Sequence, residues 1–206
     1  VMDLCSMLKR SGKAFAVAAG HWKESDVLDR TVGFVRAAAG AAALAGSRVG
    51  SVGGSFEGMG DFLVPEEELR DRFGVTVVRA SKEELCALRD AIPAQAVQKE
   101  MALDRERGVC LQEFAPEVHE QTAKSCLTLR RWLEKEQLNA FTVNFRAVGP
   151  ETGLAVMPFM EACKAMERGL GYAGEGDVLT AAFAGALIAG FETAAFVEIF
   201  CPDWQG

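Results

Sequence analysis

Two glutamates stand among neighbours that make a carboxylate unusual. Glu175 lies in the run Gly171-Tyr172-Ala173-Gly174-Glu175-Gly176-Asp177. Glycines on both sides let a ligand or ion approach the carboxylate without side-chain obstruction. The same run also reads as a solvated turn in which Asp177 is an ordinary helix N-cap. Glu198 sits between Phe196, Val197, Ile199 and Phe200, and a carboxylate buried in such company is costly unless it meets a cation or a donor. Alternation along an edge strand would instead turn it to solvent. As a pair, the two supply hard oxygen donors suited to Mg²⁺ or Mn²⁺.

A third candidate is the glycine-dense stretch 53–61 (GGSFEGMGD). It follows an expected strand over 48–52, and loops at the carboxyl ends of parallel strands are where ligands bind in open α/β sheets. It is not a G-x-G-x-x-G entering a helix and has no P-loop lysine, so its spacing carries no phosphate signature. His119 lies in an expected helix with no motif around it and reads as structural or exposed.

The elements that must position these residues follow from periodicity and punctuation. Residues 3–9 read as a short helix closed by Ser11-Gly12, and 14–19 as an apolar strand ending at Gly20-His21. Ser25 or Asp26 caps a long helix to about Leu44 with Gly46 as its stop. A helix from Pro65 to Gly74 leads to a strand over 75–78, and Ser81 with Glu84 forms a capping box for the next helix. Two amphipathic helices, 94–108 and 116–136, precede a strand over 139–145. Pro158 opens a helix to Arg168, Asp177 caps one to about Ile188, and 191–200 reads as a final strand. Strands separated by helices at these spacings point to an α/β fold, a mostly parallel sheet with helices on both faces in a three-layer, Rossmann-like arrangement.

Composition narrows the function classes. The chain has 206 residues, half of them hydrophobic, and so can bury a sizeable core. Its formal charge of −7 and lack of a basic stripe argue against nucleic acid as a partner. No uninterrupted apolar run reaches the ~18 residues of a membrane span, and 179–191 is short and rich in Ala and Gly, as in a buried helix. Six cysteines (5, 86, 110, 126, 163 and 201) show no C-x-x-C spacing, which implies a reducing, cytoplasmic setting rather than a zinc knuckle or redox dithiol.

At residues 171–183 (GYAGEGDVLTAAF) the chain resembles L-arabinose isomerases, in the motif that carries a metal-binding glutamate of that family. Phe196-Val197-Glu198 is similar to the segment carrying the second one, Gly20-His21-Trp22 to a GHW segment, and Leu154-Ala155-Val156 to a run before the glutamate motif, all in the same order. The interval from Glu175 to Glu198 is several residues shorter than the family's. The 53–61 loop looks more like that of the related L-fucose isomerases. The resemblance implies that Glu175 and Glu198 bind a divalent cation, Mn²⁺ or another, and serve in aldose–ketose isomerisation of a monosaccharide through a cis-enediol, one or both moving protons. It makes His21 a sugar contact, or else a strand-end histidine satisfied by backbone. Trp22 becomes a wall of the sugar site, or a packing residue. It further implies a homo-oligomer with shared sites.

The family's remaining metal ligands are histidines downstream of the second glutamate, which these 206 residues lack. The expectation is therefore a fragment, inactive alone: 1–22 as the trailing edge of a preceding α/β domain, 23–190 as a central α/β domain, and 191–206 as the start of a following one. Two other readings stand beside it: a non-catalytic sugar- or nucleotide-binding domain using the 53–61 loop, and a scaffold or assembly domain.

Overall fold

A computed structural model describes residues 1–108, 115–199 and 201–204. Cys110 and Phe200 lie outside the described residues. Four strands, β1 (Arg48–Val52), β2 (Thr76–Arg79), β3 (Ala140–Val143) and β4 (Gly171–Gly174), form one parallel sheet in the order β2-β1-β3-β4. The chain runs outward from β1 to β2 through α3 (Glu66–Phe73). It then crosses back past β1 to β3 by way of α4 (Lys82–Asp90), α5 (Ala94–Glu106) and α6 (Pro116–Lys135). α7 (Phe159–Glu167) connects β3 to β4, and α8 (Val178–Phe191) follows β4. The order reverses between β1 and β3, which makes their carboxyl ends the switch point of a doubly wound sheet.

Period-two alternation sorts the strand residues onto two faces. Val52, Phe141, Val143 and Tyr172 pack against Leu85 of α4, Leu129, Trp132 and Leu133 of α6, and Ala162 and Ala165 of α7. On the opposite face Val49, Ala140 and Ala173 meet Leu69 of α3, Ala181 and Ala182 of α8, and Leu44 of α2 (Val27–Ala45). Helices therefore cover both faces, the three-layer arrangement expected from the sequence.

Small residues set the spacing of the second layer. A Cβ on Gly171 would lie 2.2 Å from the Ala181 carbonyl oxygen, so α8 rests directly on β4. A Cβ on Gly190 would lie 2.6 Å from the Arg36 carbonyl oxygen, so α2 and α8 cross backbone to backbone. This close approach accounts for the Ala/Gly richness of 179–191.

Two expected strands are absent. Residues 14–19 and the described part of 191–200 form no strand. A strand needs a ladder partner for its N–H and C=O groups. Residues 14–19 are exposed and belong to no ladder, while α8 runs on to Phe191 and the described part of the tail after it joins no strand. Ahead of the sheet, α1 (Met2–Arg10) buries no residue. Among the described residues no helix is long and apolar enough to cross a membrane.

Candidate functional site

β4 delivers its chain directly into the Glu175 turn. Glu175 takes a left-handed backbone (φ +61°) and Gly176 follows at φ +88°. For a residue with a Cβ this costs about 1–2 kcal/mol, and the surroundings hold it there. Phe56 N–H donates to the Glu175 carbonyl at 3.1 Å, and Ser55 Oγ donates to the Gly176 carbonyl at 2.8 Å. Gly176 N–H donates to Thr142 Oγ1 at 3.0 Å, and that hydroxyl in turn donates to the Gly174 carbonyl at 3.1 Å. A Cβ on Gly176 would lie 2.3 Å from the Gly54 carbonyl oxygen, so only glycine lets the two loops meet. Asp177 accepts from Thr180 N–H at 2.9 Å and caps α8, the role its position suggested.

The 53–61 loop thus has a role that its glycines alone did not reveal. Its backbone grips the Glu175 turn across the β1/β3 switch point, and Asn144 Nδ2 at the end of β3 donates to the Gly53 carbonyl at 3.3 Å. Phe56 packs edge-on against Phe145, with ring centroids 4.7 Å apart. The loop after β1 is thus tied by hydrogen bonds to the Glu175 turn after β4.

Beside that turn opens a cavity of about 690 Å³ whose lining includes Glu175, Glu198, Tyr172, Phe145, Met157 and Phe159. Glu198 reaches it from the tail after α8, not from a strand. Both of its carboxylate oxygens lie 3.8 Å from the point a Cβ on Gly174 would occupy, which places them over the end of β4. The tail is held by Phe196, whose ring stands edge-on to Tyr172 at 5.7 Å and 87°. Tyr172 is buried. Burial first, and then the nearby Glu198 charge, followed by Cys163 and Glu175, push its phenol up to about 12.

The structure brings Glu175 and Glu198 to one cavity and leaves His21 and Trp22 elsewhere. Those two are exposed neighbours, ring centroids 6.5 Å apart, with His21 Nδ1 accepting from Lys23 N–H at 3.4 Å. Among the described residues no group of three or more His, Cys, Asp or Glu side chains is placed to hold a metal. The two glutamates supply carboxylate oxygens, the donor type a hard cation takes.

His119 is buried, its Nε2 3.2 Å from Asp104 Oδ2. It joins a charge network between α5, α6 and α7. Arg130 donates to both oxygens of Glu100, at 3.0 and 2.5 Å, and to those of Glu161, at 3.1 and 2.6 Å. Lys164 bonds Glu100 at 2.6 Å and also pairs with Asp104, while Arg168 pairs with Glu161. Burial raises Glu100, but the hydrogen bonds from Arg130 and Lys164 outweigh it and hold its carboxyl down at about 2. The sequence signal was present: Glu100 and Asp104 are four residues apart on α5, and Glu161, Lys164 and Arg168 share one side of α7.

A model of the L-arabinose isomerase central domain matches residues 66–189, from the start of α3 nearly to the end of α8. The chain belongs to the L-arabinose isomerase family. It is 31% identical over 180 residues to an L-arabinose isomerase of Nocardioides sp., an alignment covering 85% of this chain and 35% of that protein. It is 28% identical over 180 residues to L-arabinose isomerase 2 of Clostridium acetobutylicum (85% and 36%). With the L-arabinose isomerase of Herpetosiphon aurantiacus the identity is 30% over 179 residues (83% and 34%). The chain spans about a third of the length of these curated relatives. The family match includes Glu175 and Tyr172 and stops short of Glu198.

Proposed function

We propose that the chain is the central part of a metal-dependent aldose–ketose isomerase, with Glu175 and Glu198 as ligands of one divalent cation, Mn²⁺ by preference, and a monosaccharide as substrate. The observation that carries the reading is the convergence of these two carboxylates, from separate segments, on one cavity. A cation held there would supply Lewis-acid polarisation of the sugar carbonyl. Glu175, on its constrained turn, is aimed at the reacting carbons. Glu198, on the tail, is suited to take a proton from one carbon and return it to the next, giving a cis-enediol in between. Phe145, Met157 and Phe159 give the cavity an apolar wall beside the two carboxylates.

With two ligands the isolated chain binds metal weakly and turns over no sugar. A complete ligand set needs donors besides these two. His21, remote from the cavity within one chain, fits a site completed between subunits of a homo-oligomer, acting in the cytoplasm. The test is a Mn²⁺ titration followed by electron paramagnetic resonance, on this chain and on a form extended to the relatives' length, each with Glu175→Gln and Glu198→Gln. Tight binding in the extended form, lost in both variants together with L-arabinose isomerisation, is the expected result. Undiminished binding or turnover in either variant refutes the assignment.

A further inference from the structure

Tyr172 is the chain's only tyrosine, and no role assigned above uses its hydroxyl. The ring is fixed on two sides, by Phe141 at 5.1 Å and by the edge contact with Phe196 at 5.7 Å. Its side chain lines the cavity that Glu175 and Glu198 share. Among the described residues no buried side-chain oxygen lacks a partner, yet none of their hydrogen bonds involves the Tyr172 hydroxyl. The hydroxyl therefore meets solvent, and the cavity is where it does so. It stands as a polar point on a wall otherwise made of Val143, Phe145, Met157, Phe159 and Phe196. A phenol pushed up to about 12 stays protonated across the working range of pH, a donor facing a site whose charged groups are acceptors.

We infer that Tyr172 is a specificity-determining substrate contact, its phenol donating a hydrogen bond to a sugar hydroxyl away from the carbons that react. The inference rests on the isomerase reading. A preformed donor on an apolar wall is how a polyol site distinguishes hydroxyl positions, because a sugar lacking a hydroxyl there leaves the donor unpaired. Tyr172→Phe keeps the ring, and with it the contacts to Phe141 and Phe196 that dock the Glu198 tail, and removes only the donor.

The experiment uses a form extended to the relatives' length with tyrosine labelled at the ζ-carbon, the Tyr172 resonance being identified by its loss in Tyr172→Phe. L-arabinose is titrated in the presence of Mn²⁺, and sugar affinity is read independently by saturation transfer in wild type, Tyr172→Phe and Glu175→Gln. The expected result is a saturable shift of the Tyr172 resonance. Sugar affinity in Tyr172→Phe should fall roughly 5- to 15-fold, the worth of one such hydrogen bond, with Mn²⁺ affinity unchanged. Saturable sugar binding that is equal in wild type and Tyr172→Phe overturns the role of Tyr172 and leaves the isomerase reading intact. No saturable sugar binding in wild type overturns both.

Discussion

Replacing Glu175 separates what its side chain does from what its backbone costs. Glu175→Gln keeps the Cβ and hence the left-handed strain at φ +61°, whereas Glu175→Gly removes it. The strain is about 1–2 kcal/mol. Glycine returns part of that as extra freedom in the unfolded chain, roughly 0.4–1 kcal/mol, so Glu175→Gly should be about 1 kcal/mol more stable than Glu175→Gln. For a chain of 206 residues that is roughly 2–4 °C in Tm. In a form extended to the relatives' length neither variant should bind Mn²⁺, so neither should gain the stabilisation that a ligand at 100 times its Kd gives wild type there, about 2.7 kcal/mol. Paired thermal melts with and without Mn²⁺ measure all three quantities. The reasoning is refuted if Glu175→Gly melts below Glu175→Gln in metal-free buffer, because the turn would then depend on the side chain rather than on the grip of Phe56, Ser55 and Thr142.

The other predictions concern the packing behind the site. Glu100 is held down at about 2 against an ordinary 4.5, so its contribution, about 3 kcal/mol, is present above pH 4.5 and lost as pH falls toward 2. Glu100→Gln should cost about 2–4 kcal/mol at pH 7, and urea unfolding at stepped pH should show the gap from wild type closing below pH 4.5. Gly190→Ala would place a methyl 2.6 Å from the Arg36 carbonyl oxygen and should push α2 from α8, costing about 1–3 kcal/mol; amide exchange in α2 should rise while Mn²⁺ affinity stays put.

Most of the layer order could be read before the structure because it depends on local signals. Pro65 and Gly74 bound α3, Ser81 accepts from Glu84 N–H at 3.1 Å, and Asp177 caps α8. Those are contacts within a few residues, and the residue types that make them are few. Residues 14–19 and the described part of 191–200 fail as strands for the complementary reason: an apolar run fits a strand, but only a neighbour with free ladder groups turns it into one. The 171–174 segment is the reverse case. Gly171-Tyr172-Ala173-Gly174 is poor in β-formers, and it is a strand because β3 pairs with it residue for residue, Ala140 to Gly171 through Val143 to Gly174.

The same division explains which parts of the site the sequence disclosed. Glu175 and Glu198 are conspicuous by their immediate neighbours, one among glycines and one among apolar residues. The groups that make them a site belong to other elements and are unremarkable where they stand: Thr142 at the end of β3, Phe56 in the loop after β1, Tyr172 two residues before Gly174. Each matters through a contact across at least one strand, and no periodicity within its own element points to it. The left-handed Glu175 ties the two levels together. A glutamate is an unfavourable choice at a position where glycine would sit without strain, and the fold surrounds it with donors that fix its backbone and leave its carboxylate facing the cavity. Strain of this kind persists when the surroundings over-determine it, and at Glu175 the hydrogen bonds of Phe56, Ser55 and Thr142 around the turn do so.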